Sequence, residues 1–210
     1  MIIFVENLQL FHRKNVISMS EQSHRLILAS QSPQRRTLLT DVGYTFDVIA
    51  PSDGAECGVC SGETPSELVA RLSRQKAGDV AERIEAGIVL GCDTVAECAG
   101  RILGKPRDAD HARQMLTLLR GRVHHVYSGL CLWRRPADSV LVKVDTTKLK
   151  MAEITDNELD AYVESDAWIG KAGGFGYQDR PEWLEILAGS ESNVIGLPLE
   201  LLGQMLSARA

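Results

Sequence analysis

Long apolar runs are missing from this 210-residue chain, since no stretch approaches the roughly 20 consecutive apolar residues that a membrane-spanning helix needs. An excess of positive charge is missing too: the formal net charge is −5, which argues against a dedicated nucleic-acid surface. No segment has the charged, apolar and small-residue regions of a secretory signal, and we find no internal repeat. We therefore expect a cytoplasmic protein with neither a membrane nor a nucleic-acid partner.

Cysteine pairing is also sparse. The five cysteines are an odd number and are scattered along the chain, which favours a reducing compartment. Cys57 and Cys60 have the spacing of half a zinc site, but no second pair and no suitably spaced histidine accompanies them. They also lack the strand-then-helix setting of a thioredoxin-like dithiol. The pattern therefore favours neither a zinc site nor a redox pair.

The residues that are present are typical of a globular protein, with 44% hydrophobic and 24% charged residues. Strand and helix patterns alternate along the chain, which predicts an α/β fold built on a mixed sheet. We expect a loosely ordered extension over 1–24, where periodicity is weak, and a single domain over 25–210. The predicted strands are 26–29, 44–49, 88–92, 95–98, 124–132 and 140–151, and the predicted helices begin at residues 33, 65, 108, 156 and 199. Capping boxes at Thr64 and Thr155 begin two of these helices, and the first of the two is expected to end near residue 85.

A pair of arginines, Arg35 and Arg36, lies in the first turn of the helix predicted at Pro33, where a cation meets the positive end of the helix dipole. With Ser32 as N-cap, the following backbone amides would have no partner, and amides beside guanidinium groups bind phosphate. The alternative is an ordinary helix start, because arginine is a good helix former. The strand before the helix places Ser30 and both arginines at its carboxyl end, where open α/β sheets bind ligands.

A carboxylate interrupts the next apolar strand at Asp93. Burying an ionised carboxylate is costly unless it is paired, so Asp93 either caps a turn or acts as a metal ligand or as a general base for water. Lys105 lies between a glycine and a proline, which restricts its backbone. Lys76 has the setting of a solvated helix residue, and Glu56 in an acidic loop is unremarkable alone.

Taken together, five segments resemble one family in its order along the chain. They are Leu-Ala-Ser-x-Ser-Pro-x-Arg-Arg-x-Leu-Leu at 28–39, Arg-Leu-x-x-x-Lys-Ala at 71–77, Leu-Gly-x-Asp-Thr at 90–94, Leu-Gly-Lys-Pro at 103–106, and Ser-x-x-Asn-Val-x-Gly-Leu-Pro-Leu at 190–199. These motifs resemble the Maf nucleotide pyrophosphatases from about residue 26 to the C-terminus. Any one of the motifs would be weak evidence, but five in order make coincidence very improbable.

The resemblance implies an elongated α/β fold with two lobes around a central cleft, related to the inosine-triphosphate pyrophosphatase architecture and commonly dimeric. It implies hydrolysis of a nucleoside triphosphate between the α and β phosphorus atoms, giving the monophosphate and pyrophosphate, with Mg²⁺ or Mn²⁺ required. Asp93 takes the family's proton-acceptor position. The cleft positions fall on Ser30, Arg35, Glu56, Lys76, Lys105 and Gln178. We add Arg36 as a second phosphate-binding candidate and interpret Glu56 with Asp93 as metal ligands.

Base preference in this family is associated with three positions, which here are Gln34, Thr94 and Gln178. Thr94 and Gln178 resemble the members that hydrolyse dTTP and UTP, and a glutamine can pair with a pyrimidine edge. Gln34 departs from that group, which usually has arginine there, and Asp179 stands where a glycine is expected. We therefore expect a dTTP/UTP preference, with 7-methyl-GTP or a broad triphosphate range as alternatives. A non-catalytic nucleotide sensor that regulates septum formation is the alternative from another class.

Overall fold

The computed structural model describes residues 25–56, 58, 60 and 62–208. The N-terminal extension predicted over 1–24, and Cys57 of the cysteine pair, lie outside the described residues. Within the part of the chain that the structure describes, no helix is both long and apolar enough to cross a membrane.

Strands and helices interleave along the chain, as the alternating patterns predict. The strands are β1 (Leu26–Ala29), β2 (Phe46–Val48), β3 (Gly87–Cys98), β4 (Arg101–Leu103), β5 (Val123–Arg135), β6 (Ser139–Met151) and β7 (Leu184–Ala188). The helices are α1 (Pro33–Asp41), α2 (Pro65–Ala81), α3 (Ala109–Leu119), α4 (Asp156–Glu164), α5 (Glu191–Ile195) and α6 (Leu199–Ser207). Short 3₁₀ turns lie at Ala172–Gly174 and Pro181–Trp183. The predicted caps at Ser32, Thr64 and Thr155 are present, since each accepts a hydrogen bond from a first-turn amide. Asp108, predicted as the first residue of its helix, is instead the N-cap.

One mixed sheet of seven strands forms the centre of the fold, in the order β2-β1-β3-β5-β6-β7, with β4 paired to β3. Strand β1 runs parallel to β2 and β3, and the remaining pairs are antiparallel. On one edge of β3, the pairing with β1 extends as far as Gly91, and the pairing with β4 begins at Ala96. Residues 92–95 of β3 therefore have no neighbouring strand on that edge within the described fold, and this gap lies at the carboxyl end of β1.

Two glycines allow helix α2 to pack directly on the sheet. A Cβ atom added at Gly91 of β3 would lie 2.1 Å from the Ser73 carbonyl oxygen, and one added at Gly129 of β5 would lie 2.1 Å from the Val69 carbonyl oxygen. Any side chain at either position would push the helix away from the sheet. This close contact brings the next turn of α2, which carries Lys76, beside the gap in the edge of β3.

The opposite face of the sheet carries two separate apolar clusters, which form the two predicted lobes. One cluster packs α1 and α6 against β1, β3 and β5 and includes Leu39, Leu90 and Leu202. The other packs α3 and α4 against the far ends of β3, β5 and β6 and includes Leu116 and Met151. The mixed α/β fold predicted from the sequence is thus confirmed, with a cleft between the two clusters.

The observed elements differ from the predicted ones chiefly at strands β3, β4 and β7 and at helices α2 and α5, and α5 was not predicted from the sequence. Strand β3 continues through Asp93 without a break, because β5 pairs with it from Gly87 to Glu97. Helix α2 ends at Ala81, earlier than the predicted end near residue 85. Strands β4 and β7 were not predicted from the sequence: β4 has only three residues, and β7 is an edge strand whose residues are all partly or fully exposed. Neither strand therefore shows an apolar alternation strong enough to detect.

Candidate active site

A cavity of about 360 Å³ lies between the two lobes, at the gap in the edge of β3. Charged and polar residues from the carboxyl end of β1 and its neighbours line one part of it, and apolar side chains from the α3 lobe line the other. The polar lining includes Gln34, Arg35, Lys76, Asp93, Thr94, Lys105 and Gln178, and the apolar lining includes Leu119, Val126, Leu149, Met151, Phe175 and Leu184. This lining combines groups for anion binding with an apolar surface for a flat organic group.

The guanidinium of Arg35 is buried in a network of oxygen atoms. Its Nη1 donates to Ser30 Oγ at 3.1 Å, and its Nη2 donates to Thr94 Oγ1 at 3.1 Å. Its Nε donates to the Gly196 carbonyl at 2.9 Å. These contacts to described residues use three of the five guanidinium N–H groups and hold the plane of the group fixed. Two N–H groups are left for an anion, and because the guanidinium is already ordered, binding costs little side-chain entropy.

The Gly196 carbonyl joins three parts of the site. Besides the Arg35 Nε, it accepts hydrogen bonds from Thr94 Oγ1 at 3.3 Å and from the Cys92 thiol at 3.2 Å. Gly196 has a φ of 125°, which an L-amino acid with a side chain rarely adopts. The motif at 190–199 therefore contributes a backbone oxygen with a fixed direction. Burial raises the pKa of the Cys92 thiol, so this sulfur is a protonated donor.

Lys76 and Asp93 form a buried ion pair on the α2 side of the sheet. The Nζ of Lys76 lies 2.6 Å from Asp93 Oδ1, and each residue is only 8% exposed. The same Nζ lies 3.2 Å from Oε1 of Glu56, whose side chain is partly exposed, and 3.5 Å from the Cys92 carbonyl oxygen. Lys76 is therefore not the solvated surface cation that its helix position alone would predict. Two carboxylates from distant parts of the chain converge on one ammonium group.

The loop that carries Glu56 is tied to α2 by Arg71. Its Nε and Nη2 atoms form a bidentate pair with the Glu63 carboxylate, at 2.7 and 2.8 Å, and Nη2 also donates to the Gly58 carbonyl. Hydrogen bonds from Arg71 lower the pKa of Glu63. The arginine of the 71–77 motif thus holds this loop near the Lys76–Asp93 pair.

The remaining predicted residues fall into two groups. Gln34, Lys105 and Gln178 line the cavity, and Gln34 accepts a hydrogen bond from Ser32 Oγ at 2.9 Å. Arg36 is exposed and is not among the described residues that line the cavity. Fewer helix amides are available than the capping pattern predicts, since the Arg35 amide bonds to Ser32 Oγ and the Arg36 amide to the Ser32 carbonyl. The groups of this helix start that could bind an anion are therefore side chains more than backbone amides.

Asp179 fastens the glycine-rich loop that carries Gln178. Its Oδ2 accepts a hydrogen bond from the Tyr162 hydroxyl at 2.7 Å and forms a short ion pair with Lys171. The Tyr162 hydroxyl in turn accepts a hydrogen bond from the Gly176 amide at 3.3 Å. Burial and the adjacent carboxylate raise the pKa of Tyr162, so its proton stays in this bond. The residue that departs from the expected glycine thus anchors the loop to α4.

Two buried polar residues at the site, His124 and Ser128, were not predicted from the sequence. Ser128 is fully buried and lies 2.8 Å from Thr94 Oγ1, and His124 lines the apolar part of the cavity. Both lie on β5, at alternate positions that otherwise carry Val126, Leu130 and Leu132. A polar side chain on the buried face of an apolar strand is the pattern that could have identified them.

The fold and the cavity define an α/β ligand-binding protein whose charged site lies beyond the carboxyl end of a parallel strand, as is usual for open α/β sheets. A family model described as "Maf-like protein" matches residues 25–209. The chain belongs to the Maf-like protein family, and the resemblance seen in its five motifs is confirmed.

Several curated relatives cover most of the chain. A dTTP/UTP pyrophosphatase of Rhodopirellula baltica is 52% identical over 188 residues, which is 89% of this chain and 83% of that protein. Relatives of the same name from Salinibacter ruber and Ruminiclostridium cellulolyticum are 40% and 38% identical, cover 87% and 86% of this chain, and are themselves covered to 90% and 94%. Among solved structures, a HAM1 protein from Coxiella burnetii matches with a TM-score of 0.48 and 16% identity, covering 87% of this chain and 98% of that one.

Proposed function

We propose that this protein hydrolyses the α–β phosphoanhydride bond of nucleoside triphosphates, releasing a nucleoside monophosphate and pyrophosphate, with a preference for dTTP and UTP. The observation that carries the proposal is the cavity that brings Arg35, Lys76 and Asp93 together beside an apolar surface. Relatives of up to 52% identity that are named dTTP/UTP pyrophosphatases support the reaction and the base preference.

The charges of the cavity suit this reaction. Negative charge gathers on the departing pyrophosphate as the bridging P–O bond breaks, so fixed cations stabilise the transition state more than the ground state. Arg35 and Lys76 are held in place by their hydrogen bonds, and Lys105 is exposed at the rim of the cavity, where it can reach the polyphosphate. The other two proposed phosphate-binding residues are Ser30, which contacts the Arg35 guanidinium, and Arg36, which is exposed outside the cavity.

Asp93 is the proposed base. A water molecule attacks the α phosphorus, the bridging P–O bond to the β phosphorus breaks and pyrophosphate leaves, and Asp93 accepts the proton that the water loses. Lys76, at 2.6 Å, holds the carboxylate in a fixed orientation for this transfer. The alternative role for Asp93, as a ligand of a metal that acidifies the water, uses the same carboxylate.

A divalent cation, Mg²⁺ or Mn²⁺, fits the donor set. Among the described residues there is no cluster of three or more His, Cys, Asp or Glu side chains that could hold a metal alone. However, Asp93 and Glu56 both lie within 3.2 Å of one cationic atom, and Mg²⁺ is commonly bound by one or two carboxylates together with substrate phosphates. When bound, the ion would neutralise charge on the phosphate oxygens and acidify water.

The base preference would depend on Gln34, Thr94 and Gln178, as in the family resemblance. Gln178 lines the cavity on a loop that Asp179 fastens to Tyr162. Thr94 instead contacts Arg35 and Ser128, so it would influence base preference indirectly, by positioning these neighbours. We also propose a cytoplasmic homodimer acting on free nucleotides, on the family resemblance alone. Light scattering of the full chain measures the oligomeric state.

The experiment that tests the proposed function is a panel of the eight standard triphosphates plus 7-methyl-GTP, assayed with Mg²⁺ for the first phosphate product. We expect pyrophosphate from dTTP and UTP, no turnover after chelation with EDTA, and recovery on adding Mg²⁺ or Mn²⁺. The Asp93→Asn protein, purified identically, measures contaminating activity. Orthophosphate as the first product would overturn the proposal, and tight binding without turnover would instead support the nucleotide sensor.

A further inference from the structure

A buried histidine lies in the apolar part of the cavity, where the proposed reaction gives it no role. His124 is 3% exposed and lines the cavity together with Leu119, Val126 and Leu149. A polar ring among aliphatic side chains is costly unless its polar atoms find partners. The two nitrogen atoms of the ring differ in their partners.

The hydrogen bonding of the ring defines its tautomer. Nδ1 lies 3.3 Å from the Arg122 carbonyl oxygen, which can only accept, so Nδ1 carries the proton. Burial lowers the pKa of His124, and the neighbouring His125 lowers it further, while the Arg122 carbonyl and Glu97 act in the opposite direction. Because the net shift is downward, the ring is neutral near pH 7. Nε2 consequently has a free lone pair. No hydrogen bond from another residue in the described part of the chain reaches it.

The position of His124 separates it from the phosphate-binding groups. On β5, Ser128 lies opposite Thr94, and His124 lies on the same face of the strand four residues earlier, a separation of about 13 Å at roughly 3.3 Å per residue. Arg35, which contacts Thr94, marks the phosphate end of the cavity. A nucleotide with its phosphates beside Arg35 would therefore extend its base toward His124.

We propose that Nε2 of His124 accepts a hydrogen bond from the N3–H group of a uracil or thymine base, and so selects these bases over cytosine. The inference rests on the proposed function, since it needs a nucleotide in the cavity. Uracil and thymine have a donor at N3 between two carbonyl acceptors, whereas cytosine has an acceptor at N3. Cytosine would therefore place two lone pairs against each other in a buried site, which we expect to weaken its binding about 10- to 100-fold.

The test compares uracil and cytosine nucleotides with the full chain and three variants. His124→Phe keeps a ring but removes the acceptor, and His124→Gln places an amide near Nε2 that can either accept or donate. His125→Gln is the matched control on the next residue of the same strand, with its side chain on the opposite face. The measurements are kcat/KM for UTP and CTP, and Kd for UMP and CMP by calorimetry, which needs no turnover.

The native chain and His125→Gln should favour the uracil nucleotides about 10- to 100-fold, whereas His124→Phe and His124→Gln should reduce that ratio to within about 3-fold. If His124 has only a structural role, its variants will bind UMP and CMP more weakly to the same extent and the ratio will stay unchanged. That result would overturn the inference, and so would the absence of a uracil preference in the native chain. If His124→Phe does not fold, His124→Gln decides. Loss of the UMP preference without pyrophosphate release from any triphosphate would refute the proposed function and support the inference.

Discussion

Replacing Asp93 by asparagine tests the centre of the proposed mechanism. The change keeps the shape of the side chain and removes the charge that faces Lys76 at 2.6 Å. General-base catalysis contributes about 10²–10⁴ in rate, so we expect kcat to fall by about a hundredfold or more, which corresponds to about 2.7 kcal/mol at about 1.36 kcal/mol per tenfold change. The nucleotide KM should change much less, since Arg35 keeps its contacts.

The stability cost of the same change can be bounded from the contacts of Lys76. Removing one partner of a buried ion pair usually costs about 3–5 kcal/mol. Here Lys76 keeps Glu56 at 3.2 Å and the Cys92 carbonyl at 3.5 Å, so we expect a loss of about 3 kcal/mol or less. Urea unfolding of both proteins measures this loss and shows whether the variant is folded in the activity assay.

The matched control is Glu97→Gln on the same strand and the same face. Its carboxylate faces His125 at 3.4 Å, it keeps an acceptor for the Gly100 amide, and it is not among the described residues lining the cavity. Its kcat should stay within about twofold, and its stability within about 1 kcal/mol, because it changes only a partly exposed contact with His125. The reasoning is refuted if folded Asp93→Asn turns over within about threefold of the native chain, or if both variants lose activity equally.

Three further predictions concern packing, the loop and the thiols. Gly129→Ala should lower the free energy of unfolding in urea by about 2 kcal/mol or more, because its Cβ would clash with the Val69 carbonyl. In the control Gly203→Ala, the added Cβ lies in a helix and meets no described atom within 4 Å, so this variant should be slightly more stable than the native chain. Equal effects of the two changes would contradict the packing argument. Asp179→Ala should raise the KM for UTP about tenfold with kcat little changed, because it removes the hydrogen bond that fastens the Gln178 loop to Tyr162, and Tyr162→Phe should also raise KM. An unaltered KM in both variants would show that the loop does not need this hydrogen bond. Burial raises the pKa of the Cys131 thiol from 9.0 to about 12, so the free energy of unfolding should fall as pH rises through that interval, by about 1.4 kcal/mol at pH 10. Cys131→Ala should remove this part of the decline when both proteins are unfolded at pH 8 and 10, and an identical decline in the two proteins would contradict the assignment.

Much of the fold could be predicted because its signals are local. Caps at Ser32, Thr64 and Thr155 depend on neighbouring residues, and the helices begin where these side chains predict. The course of β3 could not be predicted in this way. Asp93 is a poor strand residue, and the strand continues through it only because β5 pairs along its whole length and Lys76 offsets the charge. Tertiary contacts override the local preference there.

In the candidate site, too, local motifs were predictable from the sequence, whereas contacts between distant residues were not. The motifs predicted which residues belong to it, and Arg35, Lys76, Asp93 and Lys105 line one cavity. The partners of these residues were beyond local reasoning: Lys76 is an ordinary helix residue until the glycine-mediated packing of α2 sets it beside Asp93. Arg36 is exposed because adjacent helix residues point about 100° apart, so only one of two neighbouring arginines can face the cavity.

The hydrogen bonds to the Gly196 carbonyl have a consequence for the growing chain during synthesis. Arg35 and Thr94 leave the ribosome long before residue 196, since the oxygen that orients the Arg35 guanidinium lies 161 residues further along the chain. Strand β7 and the loop that carries Gln178 are also made late. A nascent chain that lacks these residues therefore has no complete pocket, and we expect free nucleotide to stabilise only chains that already include them.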